Sequence, residues 1–263
     1  MLTPKEKEKN LLIKLKSYDS LAIAYSGGVD STYLADCAHE VLGKNALIVI
    51  ADSPSLPRSE LNEATSFSRR KGWNLHILET KEHLNPNYLE NKGERCFHCK
   101  KTLFHTMKEL ILSFPNMQIA YGAVEDDKSD NRPGTQAAFE YGAIAPLQEA
   151  GLFKKDIRIL SKLRKLPTAN KASFACLGSR FPTGTPINLK KLKQVEKAEE
   201  ILRARGYYQY RIRHHNDICR IEIEPEEFEK LLLERDEIVT SLKQVGYRFI
   251  TLDLSGYQTG STA

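Results

Sequence analysis

The sequence predicts an α/β protein, a parallel doubly wound sheet followed by a small α+β C-terminal domain. Three observations predict it. Short apolar runs of strand length alternate with amphipathic stretches of helix length through the first half of the chain. A glycine–serine cluster follows the first apolar run at once, where a strand would turn into a helix. Composition then shifts near residues 182–186, beyond which strands and helices follow in a different order.

Taken in order, a helix over about 3–17 carries Leu11, Leu12 and Leu15 on one side, and the run LAIAY at 21–25 reads as a buried strand. A helix near 31–42, a strand at 46–51, a helix near 58–71 and a strand at 74–79 follow. An irregular segment around 85–95, a helix from about 96 to 112 and a strand at 118–122 complete the alternation. Strands separated by helices imply right-handed crossovers, with ligands beyond the carboxyl ends of the strands, so Ser26, Asp52 and Gly122 mark where to look. After the linker at 182–188, Leu189, Leu192, Val195 and Leu202 space out a helix that Gly206 ends. Strands at about 207–214 and 218–224 flank a turn at His215, Asn216 and Asp217. A helix from Pro225 to Gly246 leads to a last strand at 249–254. The expected division is 1–184 and 185–263.

With 263 residues, 41% of them hydrophobic and 28% charged, the chain can bury a sizeable core and is not disordered. Its longest apolar run, 46–51, is far short of the ~20 residues a bilayer requires. The alternating charges at the N-terminus lack the apolar centre of a secretion signal, so a cytoplasmic protein with no membrane role is expected. The net charge of +5 suits anionic small molecules and is too slight to indicate nucleic acid. An odd cysteine count (Cys37, Cys96, Cys99, Cys176, Cys219) argues for free thiols in a reducing compartment. Cys37, inside an apolar helix, and Cys219, alternating with Ile221 and Ile223, read as core.

The loop Ser26, Gly27, Gly28, Val29, Asp30, Ser31 can turn backbone amides toward an anion at a helix N-terminus, with two hydroxyls in support. Asp30 would repel phosphate unless a cation intervenes, which points to Mg²⁺. No Gly-Lys-Ser/Thr ending is present, so the loop is not a Walker A motif. Cys96 and Cys99 lie one helical turn apart and can share a metal or cluster; zinc, iron–sulfur, redox and structural roles stay open for such a pair. Cys176, in the loop-like stretch ACLGSRFP at 175–182, is a third candidate. Three thiolates would leave one iron of a 4Fe-4S cubane without a protein ligand. On the tail, period-two alternation sets Gln209, Arg211, Arg213 and His215 on one face, with Arg220 and Glu222 on the same face of the partner strand. Asp126, Asp127 and Asp130, after the fourth strand, are candidates for Mg²⁺ or for holding their own loop and Arg132.

The string S-G-G-x-D-S after a first strand resembles the PP-loop of the ATP-pyrophosphatase superfamily. Together with YSGGVDS at 25–31, DNRPG at 130–134, SRFP at 179–182, RIRHHND at 211–217, GYR at 246–248 and LDL at 252–254, the whole chain resembles the LarE family. That resemblance implies an ATP-dependent sulfur transferase of lactate racemase nickel-pincer cofactor synthesis, acting on a nicotinate-derived pyridinium carboxylate mononucleotide. ATP adenylates the carboxylate, and sulfur displaces AMP to leave a thiocarboxylate. It implies nucleotide contacts from Ala24, the 26–31 loop, Asp52, Ser53 and Gly122, and Mg²⁺ on Asp30 and Asp127. Lys100 and Lys101 would face the leaving pyrophosphate, and Arg211, Arg213 and Glu199 the substrate phosphate or active cleft. Ser179 and Arg180 would stand beside the activated carboxylate. The sacrificial cysteine of some members aligns with Ala175, so a 4Fe-4S cluster on Cys96, Cys99 and Cys176, fed by a sulfide source, is the expected donor. A homo-oligomer is expected. The competing readings are a PP-loop tRNA thiolase, an amide-forming ligase such as NAD synthetase, and a non-catalytic nucleotide- or metal-binding regulator.

Overall fold

Strand β1 (Ser20–Tyr25) is apolar along its length because both its faces are covered. Leu21, Ile23 and Tyr25 enter one core while Ala22 and Ala24 enter another. The computed structural model describes residues 2–129, 133–171, 175–258 and 261. It forms two compact units, Met1–Glu82 with Cys96–Phe174, and His83–Arg95 with Ala175–Ala263.

In the first unit β1 is preceded by α1 (Pro4–Lys16), whose start is set by a Thr3/Glu6 capping box and by proline in the first turn. Then come α2 (Val29–Leu42), β2 (Ala46–Asp52), α3 (Arg58–Arg70) and β3 (Asn74–Glu79). The chain passes through α4 (Pro86–Glu90) of the second unit and returns as α5 (Arg95–Ile111), β4 (Met117–Tyr121), α6 (Pro133–Glu140), α7 (Pro146–Glu149) and α8 (Lys154–Leu163). All strand pairs are parallel, in the order β3-β2-β1-β4. Leu11 and Leu15 of α1, Tyr33 and Leu34 of α2, Phe67 of α3 and Ile157 and Leu160 of α8 fill one face of the sheet. Phe104, Met107 and Ile111 of α5, with Ala137 and Ala138 of α6, fill the other. Helices therefore cover both faces, and the order reverses between β1 and β4, which opens a crevice at their carboxyl ends. Cys37 is core, its thiol pushed up to about 12 by desolvation.

The second unit holds α9 (Leu189–Ala204), β5 (Tyr210–His215), β6 (Ile218–Ile223), α10 (Phe228–Leu233), α11 (Arg235–Gln244) and β7 (Phe249–Leu252). β5 and β6 form an antiparallel hairpin through Asn216, at φ +53°, and β7 joins β6 in parallel. The single helix expected from Pro225 is broken. Glu234 sits at the break, its backbone N–H on Lys230 O and its carboxylate receiving the Tyr207 hydroxyl at 3.2 Å. The segment expected to be irregular contains α4 and is bound to the 181–187 turn. Asn91 there is buried and left-handed (φ +54°), and its amide donates to the carbonyls of Phe181, Pro182 and Thr185. Cys219 is core as expected.

Candidate functional site

In the first unit the 26–31 loop leaves β1 and enters α2 with Gly27 at φ +73°, a conformation that disfavours any residue with a Cβ. The Ser31 hydroxyl organises the loop from inside, accepting from Ser26 N at 3.1 Å and donating to Gly28 O at 3.2 Å. The neighbouring Thr32 hydroxyl donates to the same carbonyl at 2.7 Å. Gly122, just past β4, lies directly on the first turn of α2: a Cβ there would meet Ser31 N at 2.9 Å and Ser31 Cα at 3.1 Å. The two strand ends flanking the reversal are thus in backbone contact, and only glycine permits it. Ala24 lies below, on the β4 side of β1.

Asp30 stands in the first turn of α2, where a negative charge suits the helix dipole. One carboxylate oxygen pairs with Lys154 Nζ; the other, Oδ1, is buried and accepts no hydrogen bond. Desolvation raises the pKa of Asp30 above the ordinary carboxylate value, and Lys154 opposes that rise. Asp127 caps its own loop, accepting from Val124 N at 2.9 Å, and Asp126 accepts from Lys154 N at 2.7 Å. Asp130, Asn131 and Arg132 lie outside the described residues. At the end of β2, Asp52 pairs with Arg58, while buried Ser53 shares hydrogen bonds with Ser55 and buried Glu82. On α5, the Lys100 ammonium lies over the rings of Phe104 and Tyr121, and that of Lys101 over Phe97 near Glu140. Cys96 is exposed and Cys99 partly so.

In the second unit, partly exposed Cys176 precedes a single helical turn, 177–180, that a buried arginine holds in shape. Arg180 is 1% exposed. Its guanidinium donates to the carbonyls of Ala175 (2.7 Å) and Cys176 (3.1 Å), to the Ser179 hydroxyl, and through two nitrogens to both oxygens of Glu199 on α9. Glu199 also accepts from Ile212 N at 3.1 Å, tying the cysteine turn to β5. The register sets Arg211 opposite Glu222 and Arg213 opposite Arg220, so the four share a face. That face is not a row of solvated guanidinium groups. Arg213 is buried and forked onto fully buried Glu222, and Arg213 Nη1 donates to Ser179 O at 3.1 Å. Arg220 and Ser261 also bond Glu222. Arg211 stacks on the Tyr257 ring at 5.2 Å, and burial together with neighbouring Arg180 holds its pKa below the ordinary arginine value.

Sequence reasoning missed Lys154, Asn91 and Arg95. Arg95 donates to Gly178 O at 2.6 Å, inside the cysteine turn. No local spacing announces any of them, because each acts on a partner far along the chain; only Glu222, facing Arg213 across a predicted hairpin, had a readable signal. Among the described residues no group of three or more His, Cys, Asp or Glu side chains is arranged to hold a metal ion. The expected sets, Cys96, Cys99 and Cys176 for a cluster and Asp30 with Asp127 for Mg²⁺, are therefore not assembled as ligand groups. Asp127 is engaged as a loop cap, while Cys96 and Cys99 belong to the first unit and Cys176 to the second.

A glycine loop entering a helix at the reversal point of a parallel sheet defines a class of α/β proteins that hold anionic ligands there. No family model matches the chain. Comparison with characterised and uncharacterised proteins is more specific. The chain is 40% identical over 256 residues to an uncharacterized protein of Synechocystis, covering 97% of this chain and 96% of that one. It is 33% identical over 262 residues to the pyridinium-3,5-bisthiocarboxylic acid mononucleotide synthase of Lactiplantibacillus plantarum, covering 99% and 95%. A weaker similarity, 23% over 197 residues, reaches a glutamine-hydrolyzing GMP synthase of Saccharolobus islandicus, covering 68% of this chain and 53% of that one. The chain belongs to the LarE family and is an enzyme of sulfur transfer. No helix among the described residues is long and apolar enough to cross a membrane.

Proposed function

We propose that this chain adenylates a pyridinium carboxylate mononucleotide with ATP and replaces AMP by sulfur to give a thiocarboxylate, on a PP-loop ATP-pyrophosphatase fold. The observation that carries the reading is the chain-long 33% identity to a synthase of that product class, which spans both the glycine loop and the arginine-rich hairpin. Neither the tRNA thiolase reading nor the regulator reading gains support from these similarities.

ATP rests its triphosphate on the 26–31 loop, whose amides and helix dipole favour anionic oxygens. Ala24, Gly122, Asp52 and Ser53 line the nucleoside side. Asp30 fits a magnesium ion on structural grounds, since its Oδ1 is a buried carboxylate oxygen with no other partner; a bound ion would neutralise the polyphosphate. The substrate carboxylate oxygen attacks the α-phosphorus, a new O–P bond forms, and the bond to the β-phosphate breaks to release pyrophosphate toward Lys100 and Lys101. A sulfide-level nucleophile then attacks the acyl carbon, forming C–S and breaking C–O as AMP leaves. Activation is required because a carboxylate oxygen is a poor leaving group. Arg211 supplies the charge for the substrate phosphate. Arg180, Arg213, Glu199 and Ser179 act one step back, holding the Cys176 turn.

A 4Fe-4S cluster lacks an assembled ligand set among the described residues, and no step runs through one. An anaerobic count of iron and acid-labile sulfide in wild type and Cys176→Ala tests the cluster separately; iron absent from both discards it. The overall reading is tested by pyrophosphate release with nicotinate-derived mononucleotide against tRNA. Release with tRNA alone refutes it.

A further inference from the structure

The Lys154–Asp30 pair joins three segments of the first unit: the first turn of α2, the loop after β4 and the first turn of α8. The loop after β4 is stitched to the start of α8 twice, by Glu125 N on Leu152 O at 2.9 Å and by Lys154 N on Asp126 Oδ2 at 2.7 Å. From that fixed base the Lys154 side chain reaches Asp30 and occupies one of its two oxygens. The other cation nearby, Arg158, is committed to the carbonyls of Ala169 and Lys171. Asp30 is thus half satisfied, with an ammonium on Oδ2 and nothing on buried Oδ1. A buried carboxylate in that condition is costly unless a second positive group completes it. The Lys154 side chain is 38% exposed, so its ammonium can leave without disturbing a core.

Resting on the nucleotide reading above, we infer that Lys154 is a resident counter-ion for Asp30. It is a positioning residue that keeps the loop carboxylate charged and aimed while the site is empty, and that yields part of its place when a cation arrives with the triphosphate. Two consequences of opposite sign follow. Without magnesium, Lys154 offsets the repulsion between Asp30 and the polyphosphate, so ATP alone binds better with it than without it. With magnesium, the ammonium repels the ion from its ligand, so magnesium binds better without it. A side chain that merely braced two loops would shift both affinities the same way.

The test is calorimetric titration of the full chain with ATP, in EDTA and across a magnesium series, for wild type, Lys154→Met and Lys154→Arg. Fluorescence of Trp73, which packs edge-on against Tyr25 at 5.6 Å, provides a second signal. In Lys154→Met, ATP affinity in EDTA is expected to fall about tenfold or more, while the magnesium concentration for half-maximal binding also falls, by about tenfold. Lys154→Arg should stay near wild type on both. Parallel weakening with and without magnesium, or no change in either, overturns the inference while leaving the nucleotide reading intact. Wild type that binds no ATP in any condition overturns both.

Discussion

Removal of the Glu199 carboxylate probes how the Cys176 turn is held. That carboxylate receives Arg180 Nε at 2.8 Å, Arg180 Nη2 at 3.0 Å and Ile212 N at 3.1 Å. Arg180 is 1% exposed and Glu199 8%, so water replaces none of these bonds cheaply. In Glu199→Ala the guanidinium keeps its carbonyl and hydroxyl acceptors but loses the carboxylate that neutralises it, leaving a buried cation. Breaking a buried pair in this way costs about 3–5 kcal/mol. With a urea slope of about 2–3 kcal/mol/M, the unfolding midpoint should fall by roughly 1–2 M. The same change frees the carbonyls of Ala175 and Cys176 from a fixed donor, so alkylation of Cys176, quantified by peptide mass spectrometry, should accelerate. Arg180→Met combined with Glu199→Leu removes both charges and should recover most of the loss, because two well-packed apolar side chains replace a pair whose desolvation was itself costly. A midpoint shift below about 0.3 M, or Cys176 reactivity unchanged in the single variant, would refute the claim that this pair sets the turn.

Three further changes test other parts of the molecule. Gly122→Ala drives a methyl group to within 2.9 Å of Ser31 N, so nucleotide affinity measured by calorimetry should fall at least about tenfold, at a stability cost of about 1–3 kcal/mol; unaltered binding would remove the β4 loop from the site. His214 is buried against Phe181 and Tyr247, and burial first, then Lys191, lowers its pKa to about 4. The unfolded chain therefore takes up a proton near pH 6.5 that the folded chain refuses until about pH 4. Stability is full above that window and is lost as pH falls through it, by up to ~3 kcal/mol; His214→Phe should flatten the urea midpoint between pH 6.5 and 4. Asn91→Ala leaves three carbonyl groups of the 181–185 turn without their donor and sets alanine at φ +54°, for a loss of about 2–3 kcal/mol. Faster proteolytic cutting within 83–95 is the readout, and an unchanged cutting rate counts against the anchor.

Most of the first unit was legible because its signals are local. β2 and β3, as read, differ from the observed strands by at most a residue, since an apolar run buried on both faces admits little sliding. The glycine loop was equally plain, as six consecutive residues carry it. The region from Pro133 to Leu163 gave no such reading, and its three helices are short or begin on residues whose caps depend on partners elsewhere. On the hairpin, period-two alternation set Arg211 and Arg213 on the correct face. It did not reveal that Glu222 neutralises Arg213, because charge at a face does not report burial. Lys154 was invisible for a simpler reason: its partner lies 124 residues away.

The segment 83–95 is sewn into the second unit while the stretches on either side of it belong to the first. Neither half of this protein is therefore encoded by one uninterrupted piece of gene. A fragment cut at 184/185 would strand Glu199 without Arg180 and Arg213 without the Ser179 carbonyl, so the tail cannot be lifted out as a cassette or grafted onto another catalytic unit. Recombination that respects exon-like modules would destroy it, and descent as an indivisible whole is the mode of inheritance this threading favours.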